Sequence, residues 1–467
     1  MLHPSVTKQF AECIDTFMTS TAFALLGVTE DASDLDVRRA TRRLLLPARF
    51  GGAGLGSAVI TRPAANVAGL ESTFTTSPVQ LENMDDEVSS IAHVLHNWPE
   101  FTSSLNAIAT AAANTPPEGR SIPDIIEELH SLNSTPQLKK KSTNTHPLQR
   151  VLSDFLYKEE EHSIWRSEPD LLMRATQRSG WGPEPSLFLG LPLSFGPEAK
   201  LPNGPFTTAV LLRIGYPILP RTDENCCKLC NKLCGRSGAH ILVCQTARAK
   251  GPRNQRHSAV QHQFTTFLSR LTSAASSKRL SFPVIPAPGR PSYSKAFRRT
   301  KDGGDVQYAD VLVSIKDEDH YIDFLIAAPN DTNAKEASQQ VSYVAKQGET
   351  RKHKAVLSHY DVPLHRQHQI VPFVLETSGS MGTGATKFLD RMMAVYPNSS
   401  PSSEGLLIGR LKERMAADVL KHNSYLVETY LTLCGATSGP RRGRVGRLPQ
   451  SSGIETLRSI YKEAKQN

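Results

Sequence analysis

Apolar positions recur at helical spacing through most of the first 270 residues and change to strand-like runs after residue 306. Residues 34 to 46, DLDVRRATRRLLL, keep their basic side chains on one side of a helix, with Asp34 placed as its N-cap. LQRVLSDFLYKEEEHSIWRSEPDLLMRATQ, beginning at Leu148, continues at the same spacing, and FTTAVLLRIGYPILP (206 to 220) predicts a short helix ending at Pro217. RNQRHSAVQHQFTTFLSRL places Val260, Phe264, Phe267 and Leu268 on one face of an amphipathic helix opened by Arg256 and His257. Then GDVQYADVLVSIKDEDHYIDFLIAAPN predicts two strands, 307 to 315 and 320 to 327, joined by the charged turn KDED. A Lys-rich helix over 333 to 360, a strand over 369 to 379 and the helix GATKFLDRMMAVY complete a β-β-α-β order, which suits an α/β sheet.

Punctuation divides this pattern. The 467 residues are too many for one ordinary core. LNSTPQLKKKSTNTHP, 132 to 147, is a polar low-complexity linker, and SGPRRGRVGR at 438 to 447 is a second, basic one. The predicted organisation is a helical region over 1–131, the linker 132–147 and a helical connector over 148–225. A small cysteine module over 226–250, a sheet domain over 251–397 and a helical, basic C-terminal extension over 398–467 follow. The class is α/β, or α+β overall. Glycines 51 to 56 follow a helix and Pro47, so they read as a turn and not as a phosphate cradle. Met84-Asp85-Asp86 lies between polar flanks and reads as a helix start or a solvated loop.

The chain carries a formal charge of +9 and a pI near 9.1, which favours a polyanionic partner, nucleic acid before membrane. No run approaches eighteen apolar residues, so no membrane span is expected, and the N-terminal stretch has no secretory pattern. Five of the seven cysteines lie in CCKLCNKLCGRSGAHILVC, 226 to 244, which argues for metal in a reducing compartment and against a disulfide frame. There Cys227-x2-Cys230 lets two thiolates of one turn reach one ion, and His240-x3-Cys244 supplies the other two corners of a tetrahedron. Four protein ligands close the site, so the zinc is structural, and Cys226 and Cys234 are spares.

Two acids interrupt the strand runs. Asp310 starts the first, and Asp323 lies between Ile322 and Phe324 in the second. An acid in a buried strand is costly unless paired or bound to a cation. Two carboxylates on adjacent strands suit one magnesium ion, and a pair of strand-end turn aspartates explains the spacing equally well. A lysine from the following helix would orient water and stabilise developing charge; Lys346 and Lys352 are the candidates, with Lys354 behind them.

Together, Cys227-x2-Cys230…His240-x3-Cys244, Arg256-His257, YADVLV, YIDFLIAAPN and VPFVLETSG resemble the C-terminal part of non-LTR retrotransposon polyproteins. There a CCHC zinc knuckle precedes a restriction-like endonuclease of the PD-(D/E)xK type. LLLPARFGGAGLGSAVITRPAANVAG and GPFTTAVLLRIGYPILP are similar to the segment that links the reverse transcriptase to the knuckle, so the resemblance spans most of residues 35 to 395. It implies an endonuclease that nicks one strand of chromosomal DNA, leaving a 3′-hydroxyl to prime reverse transcription. Asp310 and Asp323 match the two acids that hold Mg²⁺, and Lys352, then Lys346, match the family lysine. Arg256, His257, Arg298 and Arg299 are expected at phosphates, DNA is the expected partner with RNA second, and a nuclear location follows. Ala309 replaces the motif proline, the lysine moves from strand to helix, and no polymerase palm is present, so no reverse transcription is expected. The rival expectation is a catalytically inactive remnant that only binds nucleic acid.

Overall fold

The computed structural model describes residues 4–28, 34–76, 99–113, 147–182, 184–190, 201–219, 226–232, 234–244, 246–274, 310–315, 318–359, 369–394 and 404–433. They divide into two compact units, one of residues 1–33, 41–167 and 443–467, the other of residues 34–40 and 168–442. Arg298, Arg299, the acidic stretch 81 to 88, the linker through residue 146 and the basic linker 438 to 447 lie outside the described residues.

In chain order the early helices are α1 (Pro4–Leu26), α2 (Leu35–Leu45), α3 (Ala58–Thr76), α4 (Pro99–Ala113) and α5 (Pro147–Ser167). Asp34 caps α2 as expected, its carboxylate accepting from the Asp36 and Val37 amides at 2.8 and 3.4 Å. In the first unit α3 packs on α1, α4 and α5, burying Ala64, Val67, Ala68, Ile108 and Leu152. The glycine segment is a turn: Gly51, Gly54 and Gly56 have φ of 79°, 87° and 74°, which glycine adopts freely. The helix N-terminus beyond it is taken by the chain's own carboxylate. Asp15 accepts from the Ser57 hydroxyl at 2.5 Å and from the Ala58 amide at 2.7 Å.

The second unit begins with α6 (Leu171–Ser179) and α7 (Asn203–Ile214). Helix α7 stops at Gly215, φ 69°, two residues before the proline expected to end it. Then follow α8 (Ala247–Ala274), β1 (Val311–Ile315), β2 (Glu318–Ala327), α9 (Ala334–Gln339), α10 (Tyr343–His359), β3 (Ile370–Glu376), α11 (Thr383–Ala394) and α12 (Glu404–Leu433). Helix α8 starts nine residues before Arg256 and accommodates Pro252 in its second turn. The architecture is thus mainly helical around a small mixed sheet, which fits the broad α/β class.

Strand order is β1-β2-β3, with β1–β2 antiparallel and β2–β3 parallel. The two faces of β2 go to different helices. Ile322 and Phe324 join Val260, Phe264 and Leu268 of α8, Phe373 of β3, Phe388 of α11 and Met415 of α12. The rings of Phe324 and Phe373 lie 4.9 Å apart, and Phe264 sits 5.4 Å from the first and 5.3 Å from the second. Such aromatic clusters contribute about 0.5–1.5 kcal/mol per pair beyond area burial. On the opposite face Leu325 and Val374 meet Val344 and Ala345 of α10. Gly348 permits that approach, since a β-carbon there would lie 3.0 Å from Leu325 Cδ2 and 3.1 Å from Val374 Cγ1.

The C-terminal helix is not an appended tail. Leu411, Met415 and Val419 of α12 lie in the sheet core, and Leu426, Val427 and Tyr430 pack on the cysteine module. No helix of the described residues is long and apolar enough to cross a membrane.

Candidate metal centre and carboxylate site

The cysteine module folds around its predicted ligands. The Asn231 amide donates to the Cys227 carbonyl and the Cys227 amide to the Lys232 carbonyl, both at 2.7 Å. Asn231 takes φ 59° to close this turn. Gly238, φ 79°, then starts a short 3-10 turn, Ala239–Leu242, that delivers His240, with Cys244 just beyond it. One ligand atom from each of Cys227, Cys230, His240 and Cys244 lies within 4.8 Å of the others. The Cys227 and Cys244 sulfurs are 3.9 Å apart, close to the ~3.8 Å that a tetrahedron with 2.3 Å zinc–sulfur bonds requires. Cys230 Sγ lies 3.1 Å from His240 Nε2. Burial holds the His240 pKa down, which keeps the imidazole in its ligating form. This cluster could hold a metal such as zinc. Cys234 is buried in the neighbouring core beside Tyr430, and burial pushes its thiol up to about 12.

The two aspartates form a second site in the same unit. Val311 pairs with Ile322, so continuing the antiparallel register by one residue sets Asp310 opposite Asp323. Asp310 itself precedes β1, and its carboxylate turns toward the Phe324 amide and His257 of α8. Asp310 Oδ2 accepts from the Phe324 amide at 2.7 Å and lies 3.4 Å from His257 Nε2. Gln261, one helical turn after His257, donates to the Asp310 carbonyl at 3.0 Å. Lys352 Nζ reaches both oxygens of Asp323, at 2.9 and 2.8 Å.

Their electrostatics separate the two acids. Burial raises the Asp310 pKa, but the His257 ring and the Phe324 amide hold it below the usual value. Burial also raises Asp323, and the nearby Asp310 adds to this; Lys352 opposes both, and the net shift is upward. The hydrogen bond with Asp310 raises the His257 pKa against the effect of burial. About a quarter of the Asp310 side chain and a third of that of Asp323 remain exposed, so a ligand can reach them.

The arrangement distinguishes the expected residues. Lys352 meets a carboxylate. Lys346 precedes it by six residues, which at about 100° per residue points it to another side of α10, where it is exposed. Arg256, expected at phosphates, is instead buried. It donates to Asn423 Oδ1 at 2.6 Å, and Asn423 in turn donates to the Thr377 carbonyl at 2.7 Å. Its role is to tie α8 to α12, because a buried guanidinium needs acceptors inside the fold. His257, expected in the same surface role, lies against Asp310. The sequence held a signal for this, since His257 precedes Val260, Phe264 and Leu268 on one helical stripe.

Sequence reading also missed two acids that fix α10, Glu376 fully buried and Glu349 half-buried. Glu376, at the end of β3, accepts from the Ala345 amide at 2.8 Å and bonds Ser179 of α6. Glu349 accepts from the Gly384 amide at 2.7 Å, at the start of α11. No family model matches the chain, and no curated protein matches it.

Proposed function

We propose that the second unit is a restriction-like endonuclease that nicks DNA with Mg²⁺ and carries a structural zinc knuckle, as the resemblance to non-LTR retrotransposon proteins implies. The observation that carries this reading is the opposed pair Asp310 and Asp323, held from two helices by His257 and Lys352. Two strand carboxylates suit magnesium, which binds through one or two acids and completes its shell with water and substrate phosphate. His257 and the Phe324 amide both engage Oδ2 of Asp310, so Oδ1 is the oxygen better placed for a cation.

When bound, the ion would lower the pKa of a water and neutralise phosphate charge. The chain's own groups do the rest. Phe324 N–H and His257 fix the Asp310 carboxylate, and Lys352 holds Asp323 while bringing a positive charge to where phosphorane charge develops. Cys227, Cys230, His240 and Cys244 would hold zinc with no open position, so that ion stabilises and does not hydrolyse. Chromosomal DNA as substrate implies a nuclear location.

Lys352 bonds both oxygens of Asp323, and this favours a second reading in which the pair is a closed structural ion pair in a protein that only binds nucleic acid. Supercoiled plasmid incubated with the full chain, with and without Mg²⁺, separates the two. Mg²⁺-dependent conversion to open circles supports the endonuclease; plasmid that is retarded in a gel but never nicked supports the binding protein.

A further inference from the structure

A cavity of about 1290 Å³ lies between the zinc module and α10, and its walls are basic. Lys232, Lys250 and Arg253 line it on the zinc side, and Lys346, Arg351 and Lys354 line it on the α10 side. Among the lining residues the only acid is Asp331. The two rows follow from helical geometry. Lys346, Thr350 and Lys354 are spaced by four along α10, on a different face from Lys352, which meets Asp323. On α8, Lys250, Arg253 and His257 are spaced by three and four, so the basic row ends on the imidazole that touches Asp310. The cavity reaches His257, which touches Asp310, while Asp310, Asp323 and Lys352 are not among its lining residues. Cys230 and His240 also line it, which makes the metal cluster part of its wall.

We propose that this groove holds the phosphate backbone of a DNA duplex and leads it to Asp310 and Asp323. The inference rests on the endonuclease reading for what happens at its inner end. Besides the buried Arg256, six lysines and arginines share the lining with one carboxylate, which suits a polyanion. Besides imidazoles, Tyr343 is the only aromatic ring in the lining, so the groove lacks the stacked platforms that grip single-stranded bases. Phosphate contacts then carry the affinity, and binding is salt-dependent with little sequence preference. Lys346, the runner-up for the catalytic lysine, becomes a backbone contact.

The test is fluorescence anisotropy of a labelled 30-base-pair duplex with the full chain over a series of salt concentrations. Lys346→Ala/Arg351→Ala/Lys354→Ala should weaken binding at least tenfold and reduce the slope of log K against log salt by about 2–3, since each phosphate contact contributes about 0.9. Lys232→Ala/Lys250→Ala should lower it by about 2. Lys335→Ala, at an exposed position of α9 that does not line the groove, should leave it unchanged. Slopes equal to the parent's in both groove variants would overturn the proposal, as would more than tenfold tighter binding of duplex RNA of the same sequence. The outcomes separate the two readings. A parent that nicks while groove variants keep the full slope refutes the groove alone, and a groove-dependent slope without nicking refutes the endonuclease alone.

Discussion

The Asp310 and Asp323 carboxylates meet where β1 begins beside β2, and each is held by a different helix, His257 of α8 on one and Lys352 of α10 on the other. The two helices pack on opposite faces of the sheet, so the site exists only when both are docked.

Lys352→Ala removes the cation that holds Asp323 and leaves a largely buried carboxylate facing Asp310. Nicking should fall by about 10²–10³-fold, the range found when one group that stabilises transition-state charge is deleted. Plasmid binding should change little, because Lys346, Arg351 and Lys354 remain. Single-turnover nicking beside anisotropy measures both, and a matching loss in the two would assign Lys352 to binding.

Gly348→Ala tests the docking of α10. In an exposed helix interior this change stabilises by about 0.5–1 kcal/mol. Here the new methyl would meet Leu325 Cδ2 and Val374 Cγ1 at 3.0 and 3.1 Å, and overpacking costs about 1–3 kcal/mol, so the clash wins. Denaturant unfolding should show net destabilisation, and nicking should fall further than stability alone accounts for, because α10 carries Lys352 away from Asp323.

The Cys227, Cys230, His240 and Cys244 cluster makes a prediction about metal content. Atomic absorption should find one zinc per chain, retained in Cys226→Ser and lost in Cys227→Ser. Chelation should lower the melting temperature, since the cluster's ligands pack with Ile241, Leu242, Leu426 and Tyr430 in one core. Full zinc occupancy in Cys227→Ser would contradict the ligand assignment.

Glu376 gives the pH dependence. Burial raises its pKa above the usual 4.5, although Ser179 and the Ala345 and Val344 amides pull it down. A raised folded-state value means that its contribution is fully present below about 4.5 and is lost as pH rises through the folded value. Glu376→Gln keeps an acceptor for the Ala345 amide and cannot ionise. The melting temperature of the Gln variant relative to the parent should therefore rise with pH across that window. A difference that is flat in pH would refute the burial of an ionisable acid there. Glu376→Ala, which strands the amides, should cost about 1–3 kcal/mol at any pH.

The parts of this structure that were legible in sequence are those whose partners lie nearby. The four metal ligands fall within eighteen residues, and spacing alone brought them together. Asp310 and Asp323 stood out because each breaks an apolar run, and a single strand turn joins them. Lys352 could be narrowed only to a helix, since the choice between it and Lys346 depends on how α10 rotates over Leu325 and Val374. Glu376 gave no signal, because Ala345 and Ser179 lie 31 and 197 residues away and only the tertiary fold unites them. Arg256 was misplaced because a basic residue reads as surface until a buried acceptor, Asn423, is known. Helix α12 read as a tail, yet Leu411, Met415 and Val419 already had the four-residue spacing of a core stripe.

The measurement that bears most directly on the central claim is Mg²⁺-dependent nicking of supercoiled plasmid by the full chain and by Asp310→Asn, Asp323→Asn and Lys346→Ala. The account predicts nicking by the parent and by Lys346→Ala at saturating protein, and none by either aspartate variant while both still bind DNA. Nicking that survives both aspartate substitutions, or a parent that binds DNA and never cuts it, would contradict the account.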